Sequence, residues 1–313
     1  MVGAGRLGTA LARALSACGY EVRALVSRTE AHARRASKRA GVESLALGAD
    51  SLERLPPVGL LFITTPDGLI AETARRLAAT CGQRAGVALH ASGALASDVL
   101  EPLRARGLAV GSMHPLASVS EAAGGAESLR RAFYCVEGDA RAVRAARRVV
   151  GDLGGESFTI NPGSKALYHA SAMLAAGHVV ALFGVAVDTL RRCGLSGRRA
   201  QAALLPLLRS VVENLSRQTP GRALTGSIAR GDIETVREHL RALRGLEGSD
   251  ALGVYELLGE ISLRLAASDA GADGEEAERI WKRMREPAAG PVADAPAPAR
   301  ESGGGARRGG TGV

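Results

Sequence analysis

Gly3-Ala4-Gly5-Arg6-Leu7-Gly8, followed by a helical pattern over Thr9 to Ala17 and a strand pattern over Tyr20 to Val26, decides how this chain is read. The spacing is G-x-G-x-x-G at the mouth of a helix. The first glycine permits a tight turn and the second lets a pyrophosphate approach the backbone. The third lets the helix pack close to a strand. The helix start then offers free N–H groups to phosphate. The alternative is a glycine-rich turn without a ligand. The following helix and strand favour the ligand. Only Met1 and Val2 precede the motif here, whereas a first strand needs about five residues. The expectation is a first strand two residues long, or one that is lost, in a domain that survives with a frayed centre.

Outward from this motif, further strand patterns run over Gly59 to Thr65, Gly86 to His90, Ala109 to Met113 and Phe133 to Glu137, with a weak one over Ser157 to Ile160. Helical patterns lie between them, as in Leu69 to Ala79 and Arg141 to Val150. This alternation predicts an α/β domain with a doubly wound parallel sheet over residues 1–160. After Asn161-Pro162 the strand signal stops, and residues 161–286 read as an all-helical domain. Residues 287–313, rich in Ala, Pro, Gly and Arg, read as a disordered tail.

The chain has 313 residues, enough for two domains, and 46% hydrophobic with 23% charged residues excludes a wholly disordered chain. Its net charge of +8 suits anionic partners. The arginines are scattered rather than clustered and only 3% of residues are aromatic, which argues against nucleic-acid binding. Cys18, Cys81, Cys135 and Cys193 form no C-x-x-C pair, so neither a zinc site nor a disulfide framework is expected. Reduced, mostly buried thiols in a cytoplasmic protein fit better. No signal peptide is read. The most membrane-like stretch, Ser171 to Val187, is broken by Gly177 and His178 and is read as a buried central helix. His178 itself reads as a core or interface histidine, and His32 as exposed.

The strand pattern ending at Val26 runs into Ser27-Arg28-Thr29, where an NAD enzyme usually places an acid for the ribose hydroxyl. A hydroxyl and a guanidinium match a 2′-phosphate, so the expected cofactor is NADP(H). The alternative is that Arg28 is a plain surface arginine. Thr64-Thr65-Pro66-Asp67 closes another strand and is expected to line the cofactor, with Asp67 alternatively a helix cap. Gly3, Gly5, Arg6, Leu7, Gly8, Ser27, Arg28, Thr64, Thr65 and Pro66 are therefore the expected cofactor residues.

Three segments carry reactive side chains toward the same sheet edge: His90-Ala91-Ser92-Gly93, Ser112-Met113-His114-Pro115 and Lys165-Ala166-Leu167-Tyr168-His169. Lys165 and His169 are four apart and share one helix face. Hydride reduction of C=O or C=N needs a proton donor. Burial lowers a lysine pKa toward neutrality, whereas arginine cannot release its proton. Lysine occurs only at positions 38, 165 and 282, against arginine elsewhere, which marks Lys165 as the candidate general acid/base. The alternatives are a snorkelling or capping Lys165 and a structural His169. Ser92 either donates to the substrate or caps the next helix. His114 either binds a substrate carboxylate or fixes its loop. In Thr225-Gly226-Ser227 and Arg230-Gly231-Asp232, Gly226 permits close backbone approach, and Asp232 reads as the cap of a helix from Ile233 to Leu243.

The ordered set G-A-G-R-L-G, I-T-T-P-D, H-A-S-G-A, G-S-M-H-P-L, K-A-L-Y-H-A-S-A-M and A-L-T-G-S-I-A-R-G-D resembles a family of Rossmann-like oxidoreductases. These join a domain similar to deazaflavin-dependent NADP reductases to a helical domain similar to the 6-phosphogluconate dehydrogenase C-terminal superfamily. The resemblance spans Val2 to about Leu265. Related β-hydroxyacid dehydrogenases pair a helix lysine with an Asn four residues on. Lys165 matches the lysine, and His169 stands where the Asn would be. Pyrroline-carboxylate and ketopantoate reductases share the two-domain plan, and His114-Pro115 is similar to a feature of prephenate dehydrogenases. The resemblance implies a homodimer through the helical domains.

The expected function is an NADP-dependent oxidoreductase acting on a small carbonyl, imine or hydroxy acid. Its cleft would lie between the domains, with Lys165 as acid/base and with His169, Ser92 and His114 orienting the substrate. The rivals are a non-catalytic NADP(H)-binding sensor or scaffold and a deazaflavin as the hydride partner.

Overall fold

A computed structural model describes residues 1–80, 85–269 and 274–286. Cys81 and the tail 287–313 lie outside the described residues. The chain forms two compact units, Met1–Gly177 and His178–Val313. The division falls after the expected 160/161 boundary, because the helix that begins at Lys165 is tied to the sheet of the first unit.

The strands of the first unit are β1 (Ala24–Ser27), β2 (Leu45–Gly48), β3 (Val58–Ile63), β4 (Ala85–His90), β5 (Ala109–Pro115), β6 (Phe133–Gly138) and β7 (Glu156–Phe158). β1 and β2 pair in parallel, and β3 through β7 pair in chain order. Among the described residues Val2 forms the bridge between the two groups, pairing with Val26 and Ile63 in parallel. Its N–H donates to the Phe62 carbonyl (2.7 Å), and its carbonyl accepts from the Thr64 N–H (2.8 Å). The expected two-residue strand is thus one bridging residue, buried between both neighbours. Leu45–Gly48 was not read as a strand: four residues without a β-branched side chain give little signal. β6 runs antiparallel to β5 within the otherwise parallel sheet. An antiparallel neighbour needs no crossover.

Helices α1 (Arg6–Ala17), α2 (Glu30–Ala40), α3 (Asp67–Thr80), α4 (Glu101–Arg104), α5 (Ala122–Leu129), α6 (Ala140–Asp152) and α7 (Lys165–Ala175) complete the unit. α1, α5 and α6 bury Leu11, Leu15, Leu129 and Val149 against Leu89, Met113 and Val136 of the sheet. α3 buries Ile70 and Leu77 with Ile63, Ala88 and Val110. Apolar clusters on both faces produce the doubly wound arrangement that the sequence pattern predicts.

The second unit contains α8 (Gly177–Arg192), α9 (Gly197–Leu215), α10 (Pro220–Ala223), α11 (Ile233–Arg244), α12 (Ala251–Asp269) and α13 (Gly274–Arg285). Val236, Leu240, Leu263, Trp281 and Met284 form its core across α11, α12 and α13. Gly259 of α12 is required there, since a Cβ would lie 2.3 Å from the Trp281 ring. Asp232 caps α11 as expected, accepting from the Thr235 N–H at 3.3 Å. Gly226 differs from expectation: its φ of +100° needs glycine, but nothing approaches its Cβ position within 4 Å. The expected buried central helix is also corrected. α8 has no buried residue, and His178 is exposed. Its apolar side chains find no covering element among the described residues, so periodicity alone misjudged its burial.

Gly3 has φ +105°, and a Cβ would lie 2.5 Å from the Thr64 and Thr65 backbone. At Gly8 a Cβ would lie 2.2 Å from the Gly3 carbonyl oxygen. At Gly5 it would meet nothing within 4 Å. Gly3→Ala and Gly8→Ala should each cost about 2 kcal/mol or more of stability, and Gly5→Ala under about 1 kcal/mol. Urea unfolding checks this, and equal losses at all three positions would contradict it.

Candidate active site

At the carboxyl ends of the strands the α3-side face turns polar. His90 of β4 pairs with Ser112 of β5, and Ser112 with Glu137 of β6. His114 pairs with Cys135 two register positions on, and so on the same face. Paired residues in a ladder share a face, so these five side chains form one polar row. Ligands bind at such carboxyl ends in open α/β sheets.

Lys165, at the first turn of α7, reaches into this row and is only 1% exposed. Its ammonium donates to the Ser92 carbonyl oxygen (3.0 Å) and to Ser112 Oγ (2.8 Å). The snorkelling alternative is thereby excluded. Burial holds its pKa below the ordinary lysine value, opposed by Cys135, Glu137 and Asp67. Both carboxylates have other partners. Glu137 accepts from the Ser97 N–H and hydroxyl at 2.8 Å each. Asp67 accepts from Ser92 Oγ at 2.8 Å.

That last contact decides between the two readings of Ser92. Its hydroxyl oxygen accepts from the Ala94 and Leu95 N–H groups at 3.2 and 3.0 Å, and its hydrogen goes to Asp67. The side chain is a cap, with no hydrogen left for a substrate. Asp67 itself opens α3 and is this serine's acceptor. His114 Nδ1 lies 2.7 Å from the Tyr168 hydroxyl. Burial, then the neighbouring Lys165, His169 and His90, push the His114 pKa down to about 3. In that neutral state the imidazole would meet a substrate carboxylate through a hydrogen bond rather than an ion pair. His169 stands edge-on to His114, with ring centres 5.5 Å apart, and its buried Nδ1 has no hydrogen-bond partner. Gly93 lets the two rings converge: a Cβ there would lie 2.3 Å from His169 Nδ1 and 2.8 Å from His114 Nε2. Tyr168 was not singled out from the sequence, although it lies between the two residues that were.

The expected cofactor residues surround a separate cavity of about 950 Å³ in the first unit. Gly3, Gly5, Ser27, Arg28, Thr64, Thr65 and Pro66 line it. Gly8 and Leu7 lie behind the turn, and Arg6 is exposed at the helix start. Ser27 ends β1, and Thr29 caps α2. His32, Arg35, Arg39 and Arg76 add to the cavity wall. His32, Arg35 and Arg39 lie about one turn apart on α2 and Arg76 comes from α3, so no contiguous motif marks them in the sequence. The cavity fits a dinucleotide on two counts: the open space at the Gly5 Cβ position and the buried Thr65 Oγ1, which lacks a partner.

Burial, followed by the Lys165 charge, pushes the His90 pKa down to about 4 from 6.5, opposed by the Ala96 carbonyl. Its Nδ1 accepts from the Ser92 N–H (3.1 Å), so Nε2 carries the hydrogen facing the Ala96 carbonyl (3.3 Å). A folded-state pKa below the unfolded value gives stability that is present above pH 6.5. That stability is lost as pH falls toward 4, because the unfolded chain takes up the proton first. The loss should reach about 3 kcal/mol from His90 alone. Unfolding at stepped pH checks this. His90→Gln should flatten that part of the profile, and an unchanged slope would contradict the assignment.

Two family models match the chain, and the second begins within the first unit, at residue 132. Residues 1–115 match the family model described as a Rossmann-like domain. Residues 132–261 match one described as a domain of unknown function, DUF2520. No curated protein matches the chain. Protein TM1727 from Thermotoga maritima is similar in structure, with a TM-score of 0.66 and 22% identity over 86% of this chain and 98% of its own. So is BF3122 from Bacteroides fragilis, described as an inferred NADP oxidoreductase, with a TM-score of 0.67 and 20% identity over 83% and 95%. An imine reductase from Pseudomonas sp. has a TM-score of 0.57 and 18% identity over 91% and 98%. The chain thus carries a region similar to the Rossmann-like domain followed by one similar to DUF2520.

Proposed function

We propose that this protein is an NADP(H)-dependent oxidoreductase acting on a small carbonyl, imine or hydroxy-acid substrate. The observation that carries the reading is the buried Lys165 ammonium at the sheet edge that also bears the glycine turn. A dinucleotide, when bound, supplies the hydride. The residues that would hold it are Gly3, Gly5 and the α1 amides at the pyrophosphate, with Thr64, Thr65 and Pro66 alongside. Ser27, Arg28, Arg35 and Arg39 would receive the 2′-phosphate. The guanidinium groups of Arg28, Arg35 and Arg39 have no carboxylate partner among the described residues. The similarity to an inferred NADP oxidoreductase and to an imine reductase supports the reading.

In this reading Lys165 holds positive charge beneath the reacting carbonyl or imine, and His114 and His169 shape the substrate pocket. Ser92 acts through its main-chain carbonyl, which orients the lysine. The sensor alternative draws on one fact: the Lys165 ammonium already has two protein acceptors. Binding of NADPH without turnover on any substrate would favour it.

We assign the exposed apolar residues of the second unit, among them Val180, Leu207, Val212 and Leu215, to contact with a second copy of the chain. The stretch Pro162–Arg192 is long and apolar enough by length and composition to cross a membrane. A cytoplasmic homodimer accounts for the same exposure, and in it these side chains would be covered.

NADPH should bind more tightly than NADH. Arg28→Ala should weaken NADPH about tenfold or more and leave NADH unchanged, as expected for loss of a charge-assisted hydrogen bond. Fluorescence titration checks this, and the same samples should sediment at twice 32.1 kDa. Tighter NADH binding would contradict the cofactor assignment, and a monomer at micromolar concentration would contradict the dimer.

A further inference from the structure

We propose that the Tyr168 hydroxyl is the proton donor to the substrate oxygen, with Lys165 acting from beneath as a fixed cation. This rests on the oxidoreductase reading and assigns a role within it.

Accessibility separates the two candidates. Lys165 is 1% exposed and has two of its three hydrogens committed to Ser92 O and Ser112 Oγ. Its third hydrogen lies in a site closed to solvent, so a substrate reaches it only if the side chain leaves that site, which is costly. Tyr168, three residues later, is half-buried and shares the His114 ring with the reactive row. Tyr168 is thus the more exposed of the two.

The surroundings suit a phenol that gives up its proton only during reaction. Burial, then the Cys135 thiol, hold its pKa above the ordinary tyrosine value, so it is protonated at neutral pH. Phe158 and His114 pack edge-on against its ring, with centres 5.9 and 5.5 Å away, and fix its direction. His114 is neutral, and in the tautomer protonated on Nδ1 it donates to the phenol oxygen. The phenolic hydrogen is then free to point at the substrate. Lys165 Nζ lies 5.7 Å from the ring centre, close enough to favour the phenolate that forms. The partnerless Nδ1 of His169 marks a polar position beside it, where a substrate group would be held.

The proton leaves Tyr168 Oη for the substrate oxygen as that oxygen takes up the electron pair of the breaking C=O π bond. A reduced nicotinamide, when bound, would supply the hydride that completes the balance. Water returns the proton to the phenolate. The step suits a carbonyl, whose developing alkoxide is more basic than a phenolate.

The full-length protein with NADPH is offered 2-oxo acids and neutral aldehydes, and NADPH loss is followed by absorbance. Tyr168→Phe should lower kcat about 100-fold or more, as loss of a general acid does. NADPH affinity and melting temperature should stay at wild-type values. A monofluorinated tyrosine at 168 keeps the shape and makes the phenol more acidic, so kcat should change by more than about threefold. It also decides the matter should the Phe variant fail to fold. Wild-type kcat in either variant overturns the inference while the oxidoreductase reading stands. NADPH binding with no turnover by the unaltered protein, on this panel, on cyclic imines and on hydroxy acids with NADP+, overturns both.

Discussion

The first unit depends on one buried cation. The Lys165 ammonium sits over the polar ends of β4 and β5 and joins α7 to the sheet through Ser92 and Ser112. A lone charge in such a place costs several kcal/mol unless nearby groups compensate it. Here the compensation is a main-chain carbonyl, a hydroxyl and two carboxylates at longer range. The cost is offset without an ion pair that would fully neutralise the amine. That leaves a positive potential at the sheet edge, directed at whatever negative charge a reaction develops there.

The other polar groups serve this arrangement. His90 and His114 remain neutral beside the cation, held so mainly by burial. Ser97 occupies both oxygens of Glu137, and Ser92 holds Asp67, so neither carboxylate is drawn onto the lysine. At the amino end of α1 the glycine turn leaves space where a side chain would block a phosphate. Gly3 and Gly8 fit the packing and Gly5 fits the cavity. One residue, Val2, holds the two halves of the sheet together above that turn.

Much of the first unit was legible in the sequence because strand runs and helical patterns alternate with clear punctuation. The glycine motif and the lysine placed among arginines located both halves of the candidate site. What escaped has physical reasons. β2 is too short and too poor in branched residues to register. The reversed β6 leaves no mark in a pattern that reads the same in either direction. Burial of α8 was misjudged because an apolar helix looks alike whether its own chain or another covers it. Ser92 and His114 were readable as reactive types, but their hydrogen-bond partners Asp67 and Tyr168 are distant in sequence. Tyr168 went unnoticed because its meaning depends on the ring it touches.

The most direct measurement is the rate of NADPH oxidation in a single turnover by Lys165→Met, set beside its NADPH affinity. The account predicts a rate lower by about 100-fold or more with nucleotide affinity unchanged, since the amine acts on the reacting centre and not on the phosphates. A Lys165→Met protein that turns over at the rate of the unaltered one would contradict it.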